Sequence, residues 1–400
     1  MIPFFPKEGC AMSFKTSRRE FLSAGIMLPV AGAASKFDLL QSPDKPDPKL
    51  PKSPIKLEHR TLGNTGLKVT SVGFGCMITS DPSVIERAAD IGINYFDTAR
   101  GYQHGNNERM VGAALGAKRK NVILSTKSAA DNKAGLLQDL DTSLSELKTD
   151  YVDIWYLHSK DTPAAIHDDM IEAQQIARQQ GKIRFAGMST HALPKLSPWT
   201  VDKKAFDVVL TIYNFTVDPK LEEAIATVAK TGTGVVAMKI MAGGPHARRP
   251  DQPLNPIMER EGAMLSALKW VLHRPNISTT IPSMTDMDQL DENLRAMSEK
   301  FSPIDDKILA AHLDRIAPVY CRFCGECDGA CKKGLQVADT LRILTYADGY
   351  GQFALARERF NELPLRHATS RCAACTECTV KCPHGVRVSE RITRAQELFA

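Results

Sequence analysis

Tyr95-Phe96-Asp97-Thr98-Ala99-Arg100-Gly101-Tyr102 closes an apolar, β-rich run with a carboxylate, then carries a phenol away on a glycine-containing loop. Its first half reads as the end of a buried strand and its second half as the loop that follows. An acid at a strand's C-terminal end with a tyrosine just beyond it is half of a proton-donating site. The other half belongs at the ends of the following strands, and polar residues recur there. Lys127, His158 and Ser189 follow Asp97 at steps of 30, 31 and 31 residues, about one strand-plus-helix unit each.

Strand patterns lie at Val69–Gly75, Tyr95–Thr98, Val122–Thr126, Val152–Leu157, Arg184–Met188, Val208–Ile212, Gly234–Met238 and Thr279–Ile281. Helical periodicity marks Pro82–Ala89, Asn107–Leu115, Ala134–Leu147, Ala164–Gln180, Pro219–Thr231 and Gly262–His273. Ahead of them, Gly63-Asn64-Thr65-Gly66 within Arg60–Leu67 predicts a hairpin. Eight strands alternating with helices imply a parallel α/β sheet, closed as a (β/α)8 barrel or open and doubly wound. A barrel gathers all its strand ends around one mouth, where active sites lie. An open sheet usually marks its first turn with a glycine-rich phosphate loop, and Gly73-Phe74-Gly75 lacks the third glycine. The barrel is favoured.

At such a mouth, Asp97, Tyr102, Lys127 and His158 suit one kind of chemistry. A free phenol, with a pKa near ~10, is a poor acid at neutral pH. A nearby ammonium is expected to lower that pKa, and a carboxylate behind the ammonium keeps it charged. A histidine can hold a carbonyl oxygen facing the phenol. The set suits protonating an oxygen while a hydride reaches carbon, or the reverse. Any one of these residues alone is more often a cap or a rim charge; four at matching registers are hard to assign to chance.

A chain of 400 residues, 43% hydrophobic and 24% charged, accommodates one large domain and a smaller one. A net charge of +5 without a basic stripe argues against nucleic-acid binding. At the amino terminus, Arg18-Arg19 precede an apolar run from Phe21 to Ala34 and a small-x-small Ala31-Gly32-Ala33. Residues 1–35 thus resemble a twin-arginine export signal, which implies passage through that machinery in a folded state, with the periplasm as destination. Five prolines between residues 36 and 57 make an extended spacer.

Residues 58–304 resemble an aldo-keto reductase. The matching stretches are Arg60 to Val69, Phe96-Asp97-Thr98-Ala99 with Tyr102, Asn107-Glu108 with Gly112, Ser125-Thr126-Lys127, Asp153 to His158, and Gly187-Met188-Ser189. The resemblance implies reduction of a small-molecule carbonyl, or oxidation of an alcohol, with NADP or NAD. Tyr102 would be the proton donor, Lys127 and Asp97 would tune it, and His158 would orient the carbonyl. Ser189 would hold the nicotinamide carboxamide, with Thr190, Met238 and Lys239 beside the cofactor and Gln289 and Asn293 near the adenine. The sequence departs from the family's pattern at Thr190 (usually Asn), Leu210 (commonly Gln) and Met238 (usually aromatic). The loop Ser283–Met287 also lacks the cation that often pairs with a 2′-phosphate. Met238 to Gly244 resembles a branch of the family whose members carry iron–sulfur motifs after the barrel.

Residues 305–400 contain such motifs. Cys321, Cys324, Cys327 and Cys331 form C-x2-C-x2-C-x3-C, and Cys372, Cys375, Cys378 and Cys382 repeat it. Zinc is the competing ligand for paired C-x2-C, but the third cysteine and the trailing x3-C favour a cubane. The region resembles a two-cluster ferredoxin of mainly helical type, with helices expected at Leu335–Tyr346 and Phe353–Leu363. That resemblance predicts one [4Fe–4S] cluster on Cys321, Cys324, Cys327 and Cys382 and another on Cys372, Cys375, Cys378 and Cys331. Lys332 replaces the proline usual after the fourth cysteine.

Two functions remain open at this level. One is an exported oxidoreductase acting on a carbonyl–alcohol pair, its clusters exchanging electrons with a redox partner. The other is an electron-transfer or assembly subunit whose barrel is a docking or sensing module without catalysis.

Overall fold

Alternation along each strand decides what faces the barrel axis and what faces the helices. In a computed structural model that describes residues 56–243 and 262–400, the chain first makes an antiparallel hairpin of β1 (His59–Thr61) and β2 (Lys68–Thr70). Eight parallel strands follow: β3 (Phe74–Gly75), β4 (Tyr95–Asp97), β5 (Ile123–Ser128), β6 (Val152–Leu157), β7 (Ile183–Thr190), β8 (Val208–Ile212), β9 (Gly234–Met238) and β10 (Thr279–Thr280). Parallel bridges Val72–Thr280 and Gly75–Ser283 join the last strand to the first, so the sheet is a closed (β/α)8 barrel. A Cβ on Gly75 would stand 2.5 Å from the Ile281 carbonyl oxygen, so the closing seam admits only glycine there.

The helices of the barrel are α1 (Pro82–Ile91), α2 (Asn106–Leu115), α3 (Lys133–Leu147), α4 (Asp168–Gln179), α5 (Leu193–Lys203), α6 (Pro219–Ala229), α7 (Ala263–Leu272) and α8 (Met287–Arg295). Phe96, Leu124, Trp155, Leu157, Met188 and Val209 point outward into the core between strands and helices. The inward set, Tyr95, Ile123, Ile154, Tyr156, Val208, Leu210 and Val236, fills the axis together with Leu62, Leu67 and Val69 of the hairpin. The hairpin is therefore a plug for the N-terminal end.

Two sequence expectations change here. The run Val69–Gly75 is not one strand: its start pairs in the hairpin, and only Phe74–Gly75 enters the barrel. A helix that the sequence reading lacked, α5, spans Leu193–Lys203. Pro194 and Pro198 interrupt its pattern, but Pro194 sits in the first turn, where no N–H is missed.

Beyond the barrel come α9 (Pro303–Ile316), α10 (Val337–Asp348), α11 (Phe353–Asn361), α12 (Arg366–Thr369) and α13 (Val388–Phe399). Asp305 fixes α9 to α7: its carboxylate caps α9 through Ser302 and accepts from Ser266 (2.8 Å) and Lys269 (2.9 Å). The C-terminal helices build two small apolar clusters. One centres on Cys321, Leu335, Val337, Leu341 and Ile392, the other on Leu344, Tyr346, Ala356, Phe360 and Phe399. Met77, from the loop after β3, packs into the second, so this region joins the barrel at its mouth. The described residues belong to one compact unit, Ser53–Ala400. Residues 1–35, residues 36–55 of the spacer and Gly244 lie outside the described residues. Among the described residues, no helix is long and apolar enough to cross a membrane.

Candidate active site

Because Tyr95 faces the axis, Asp97 does too, one layer higher; Ser125 and Lys127 on β5, and Tyr156 on β6 with His158 beyond its end, continue that register. Lys127 Nζ donates to Asp97 Oδ2 at 2.5 Å, to the Thr98 carbonyl at 2.7 Å and to Tyr102 Oη at 3.3 Å. The other Asp97 oxygen accepts from Ser125 Oγ at 2.7 Å. The Tyr102 ring meets His158 edge-on, with centroids 5.9 Å apart. Asp97, Lys127, Tyr102 and His158 therefore come together at the C-terminal end of the barrel.

The loop bearing Tyr102 is held by residues on its far side. Gln103 and His104 take left-handed backbone conformations, and Gln103 donates to the Thr79 carbonyl at 2.9 Å. Asn107 accepts from Thr98 (2.6 Å) and donates to the Cys76 carbonyl (2.8 Å). Glu108 accepts from Thr126 (2.6 Å) and pairs with Arg100. Asn107 and Glu108 thus lock the turn that aims the phenol.

Electrostatics alters one expectation. Burial raises the Tyr102 phenol above its ordinary value, and the opposing pull of Lys127 does not overcome it. Lys127 tunes the phenol but does not bring it below 10. Burial works against the Lys127 ammonium as well, yet Asp97 and Tyr102 outweigh it and hold that group protonated. His158 is driven well below the usual range, first by burial and then by Lys127, His191, Arg359 and Arg342. It is a neutral imidazole at physiological pH, able to donate a hydrogen bond without charge.

These groups open into a cavity of about 600 Å³. Ser189, Met238 and Lys239 line it, as do Ile281 and Pro282. Three other residues assigned to the cofactor do not. Thr190 Oγ1 donates to Asp161 (3.0 Å) and accepts from the Ala192 amide (2.9 Å). Gln289 folds onto its own helix cap, bonding Thr285 and Asp286. Asn293 is buried in α8. Leu210 belongs to the barrel interior.

A barrel mouth that holds a Lys-linked tyrosine beside a neutral histidine can be set against known proteins. The match to the aldo/keto reductase family covers residues 80–314, more than half of the chain. This chain belongs to the aldo/keto reductase family. It is 29% identical to L-galactose dehydrogenase of Arabidopsis thaliana over 61% of this chain and 89% of that one. Identity to the uncharacterised oxidoreductase YqkF of Bacillus subtilis is 27%, over 64% and 96%. Among solved structures, the aldo-keto reductase AKR11C1 from Bacillus halodurans superposes with a TM-score of 0.55 at 26% identity, covering 64% of this chain and 96% of that one. The protein is accordingly an oxidoreductase of a family that uses NAD(P)H. Its mouth fits a nicotinamide: Ser189 Oγ accepts from the Ser159 amide (2.9 Å), which leaves its own proton for a carboxamide oxygen, and Met238, Ile281 and Pro282 offer apolar surface.

The family match ends before the first clustered cysteine. None of the eight cysteines of the two repeats is in a disulfide, and Cys321, Cys327, Cys331, Cys372, Cys378 and Cys382 pack around one apolar cluster. Burial pushes the Cys321 thiol up to about 12, with Cys327, Cys324 and Cys382 adding to it. Cys372 is raised by burial and then by Cys378, Cys375 and Cys331. The thiols thus fall into two neighbourhoods, each with three members of one repeat and the last cysteine of the other. Among the described residues, no three His, Cys, Asp or Glu side chains converge closely enough to hold a single metal ion.

Sequence reasoning missed the far wall of the cavity. Asp339, Arg342, Ile343 and Tyr346 of α10, then Tyr350, Leu355 and Arg359, cover the mouth from the C-terminal region. The 339, 342, 343, 346 spacing is one helical face, and a face mixing charges with a phenol was the available signal.

Proposed function

We propose that this aldo/keto reductase interconverts a small carbonyl compound and its alcohol, with Tyr102 as the proton donor and acceptor. The observation that carries this reading is Lys127 Nζ, shared between Asp97 at 2.5 Å and Tyr102 at 3.3 Å beneath a neutral His158. A reduced nicotinamide, when bound, would supply the hydride that reduction of the carbonyl carbon needs. His158 donates a hydrogen bond to the carbonyl oxygen and fixes it toward the phenol. As the C–O double bond breaks, Tyr102 Oη gives its proton to that oxygen. Lys127 stabilises the phenolate left behind, and Asp97 keeps the ammonium in place. Alcohol oxidation runs the same steps backward. Ser189, Met238 and Lys239 would hold the nicotinamide end of the cofactor.

The same reading assigns two [4Fe–4S] clusters to the C-terminal region, one on Cys321, Cys324, Cys327 and Cys382, the other on Cys372, Cys375, Cys378 and Cys331. Their support is the spacing of the repeats and the two thiol neighbourhoods. A cubane presents a separate iron to each thiolate, so its ligands need not converge as they would on one ion. Such clusters would exchange single electrons with a redox partner. Cofactors inserted before export would require passage in the folded state, the service of a twin-arginine pathway at Arg18-Arg19.

Three measurements test these parts. Full-length protein purified without oxygen should bind NADPH or NADH stoichiometrically in a fluorescence titration and turn over a panel of aldehydes; neither binding nor turnover would favour the docking-module alternative. The same sample should show the paramagnetic resonance of reduced [4Fe–4S] clusters, and a colourless, iron-free protein would remove them. Changing Arg18 and Arg19 to Lys should retain the protein in the cytoplasmic fraction.

A further inference from the structure

The wall that the C-terminal helices add to the cavity carries two arginines, Arg342 and Arg359, each beside a carboxylate that also lines the cavity, Asp339 and Glu362, and it stands over Tyr102. Arg359, at the end of α11, brings Nη2 to 3.4 Å from where a Cβ on Gly101 would sit, one residue before Tyr102. Arg342, on α10, faces the same cavity, and both guanidinium groups lie near enough to His158 to repel its proton. Each has one carboxylate in salt-bridge contact three residues away, Asp339 on α10 and Glu362 just past the end of α11. Arg342 donates Nη2 to Asp339 at 2.6 Å, and Arg359 donates Nη1 to both oxygens of Glu362 at 2.8 and 2.9 Å. Those carboxylates are 38% and 53% exposed, so solvent weakens their hold. Nε and one Nη of each arginine make no hydrogen bond among the described residues, and none of those atoms is sealed from solvent. Lys239 adds a third cation: it packs over the rings of Tyr346 (4.8 Å) and Tyr350 (5.7 Å) and has no carboxylate within salt-bridge distance among the described residues.

Given the carbonyl-reductase reading on which this rests, we infer that Arg342 and Arg359 form a subsite for an anionic group, carboxylate or phosphate, borne by the substrate. A planar guanidinium with two free N–H groups is shaped for a bidentate oxyanion. Tyr102 and His158 then grip the carbonyl end while the C-terminal helices grip the charged end. The region after the barrel would set specificity as well as cover the mouth.

Paired substrates test this on the full, cluster-loaded chain. Succinic semialdehyde against butanal, and glyceraldehyde 3-phosphate against glyceraldehyde, separate the carboxylate from the phosphate source. The charged member of at least one pair should have the higher kcat/KM, and 0.5 M salt should narrow the gap. In the double variant Arg342→Met, Arg359→Met the charged member should lose ~10–100-fold more than its neutral partner. The double lysine variant, which keeps charge without the fork, should fall between. Equal rates within both pairs would overturn the inference. So would a variant that raises KM for the nicotinamide while leaving the charged-to-neutral ratio intact, since that would assign the arginines to the cofactor. If no aldehyde is turned over, the reductase reading fails separately, and calorimetry with succinate and with glycerol 3-phosphate still tests the subsite. Binding to the native chain that weakens at least tenfold in the variant supports it, and no binding overturns it.

Discussion

The two ends of the barrel are closed by opposite materials. At the N-terminal end the hairpin ahead of the barrel inserts three apolar side chains, Leu62, Leu67 and Val69. At the C-terminal end the helices that follow the barrel bring Arg342, Tyr346 and Arg359 over Asp97, Lys127, Tyr102 and His158. One end is sealed by packing, the other by groups that leave a cavity of about 600 Å³. The difference separates stability from chemistry: substitutions below should change folding and leave the reaction alone, while those above should do the reverse unless they strand a buried charge.

The largest effect should come from the residue that does both. Lys127→Met removes the phenol's cation and leaves Asp97 buried without its partner. A loss of about 3–5 kcal/mol in unfolding free energy should accompany loss of turnover; unchanged melting would place water beside Asp97 and blur the distinction. At the lower end, Leu62→Ala should cost about 2–5 kcal/mol through the cavity it leaves, with kcat unchanged at temperatures where the variant stays folded. Loss of activity in the folded variant would show that the plug communicates with the mouth.

The pH profile sharpens the upper end. Burial raises the Tyr102 pKa, so the phenol carries its proton throughout the neutral range and is lost as a donor only above its ordinary value near ~10. Carbonyl reduction should therefore be flat from pH 6 to 9, and alcohol oxidation, which needs the proton gone, should rise with pH. His158 titrates well below 6.5 and should leave no inflection in that window; a step near pH 6.5 would mean that the imidazole is exposed. The smallest effect belongs to the pair between His104 and Glu358, 3.5 Å apart with the histidine 80% exposed, which links the Tyr102 loop to α11. His104→Ala should cost less than about 1 kcal/mol and shift KM only slightly.

Much of this was legible in the sequence, and the omissions have physical reasons. Asp97, Lys127, His158 and Ser189 were readable because each ends a strand in a repeating unit, so linear spacing carried three-dimensional position. Thr190 adjoins Ser189, yet its hydroxyl is taken by Asp161 and the Ala192 amide; period two turns neighbours to opposite sides. Gln289 was read toward a ligand, but Asp286 and Thr285 lie within one turn and satisfy its amide locally. Arg342 and Arg359 were missed because more than 200 residues separate them from Asp97. Nothing in the helical pattern of α10 says which surface its mixed face will cover.

The account turns on Tyr102, and turnover by Tyr102→Phe in full-length, anaerobically purified protein tests it most directly. Phenylalanine keeps the ring against His158 and removes the hydroxyl that carries the proton and meets Lys127. Nicotinamide-dependent aldehyde reduction should fall ~10²–10⁴-fold in kcat with cofactor binding retained. A variant that reduces aldehydes at the native rate would contradict the account.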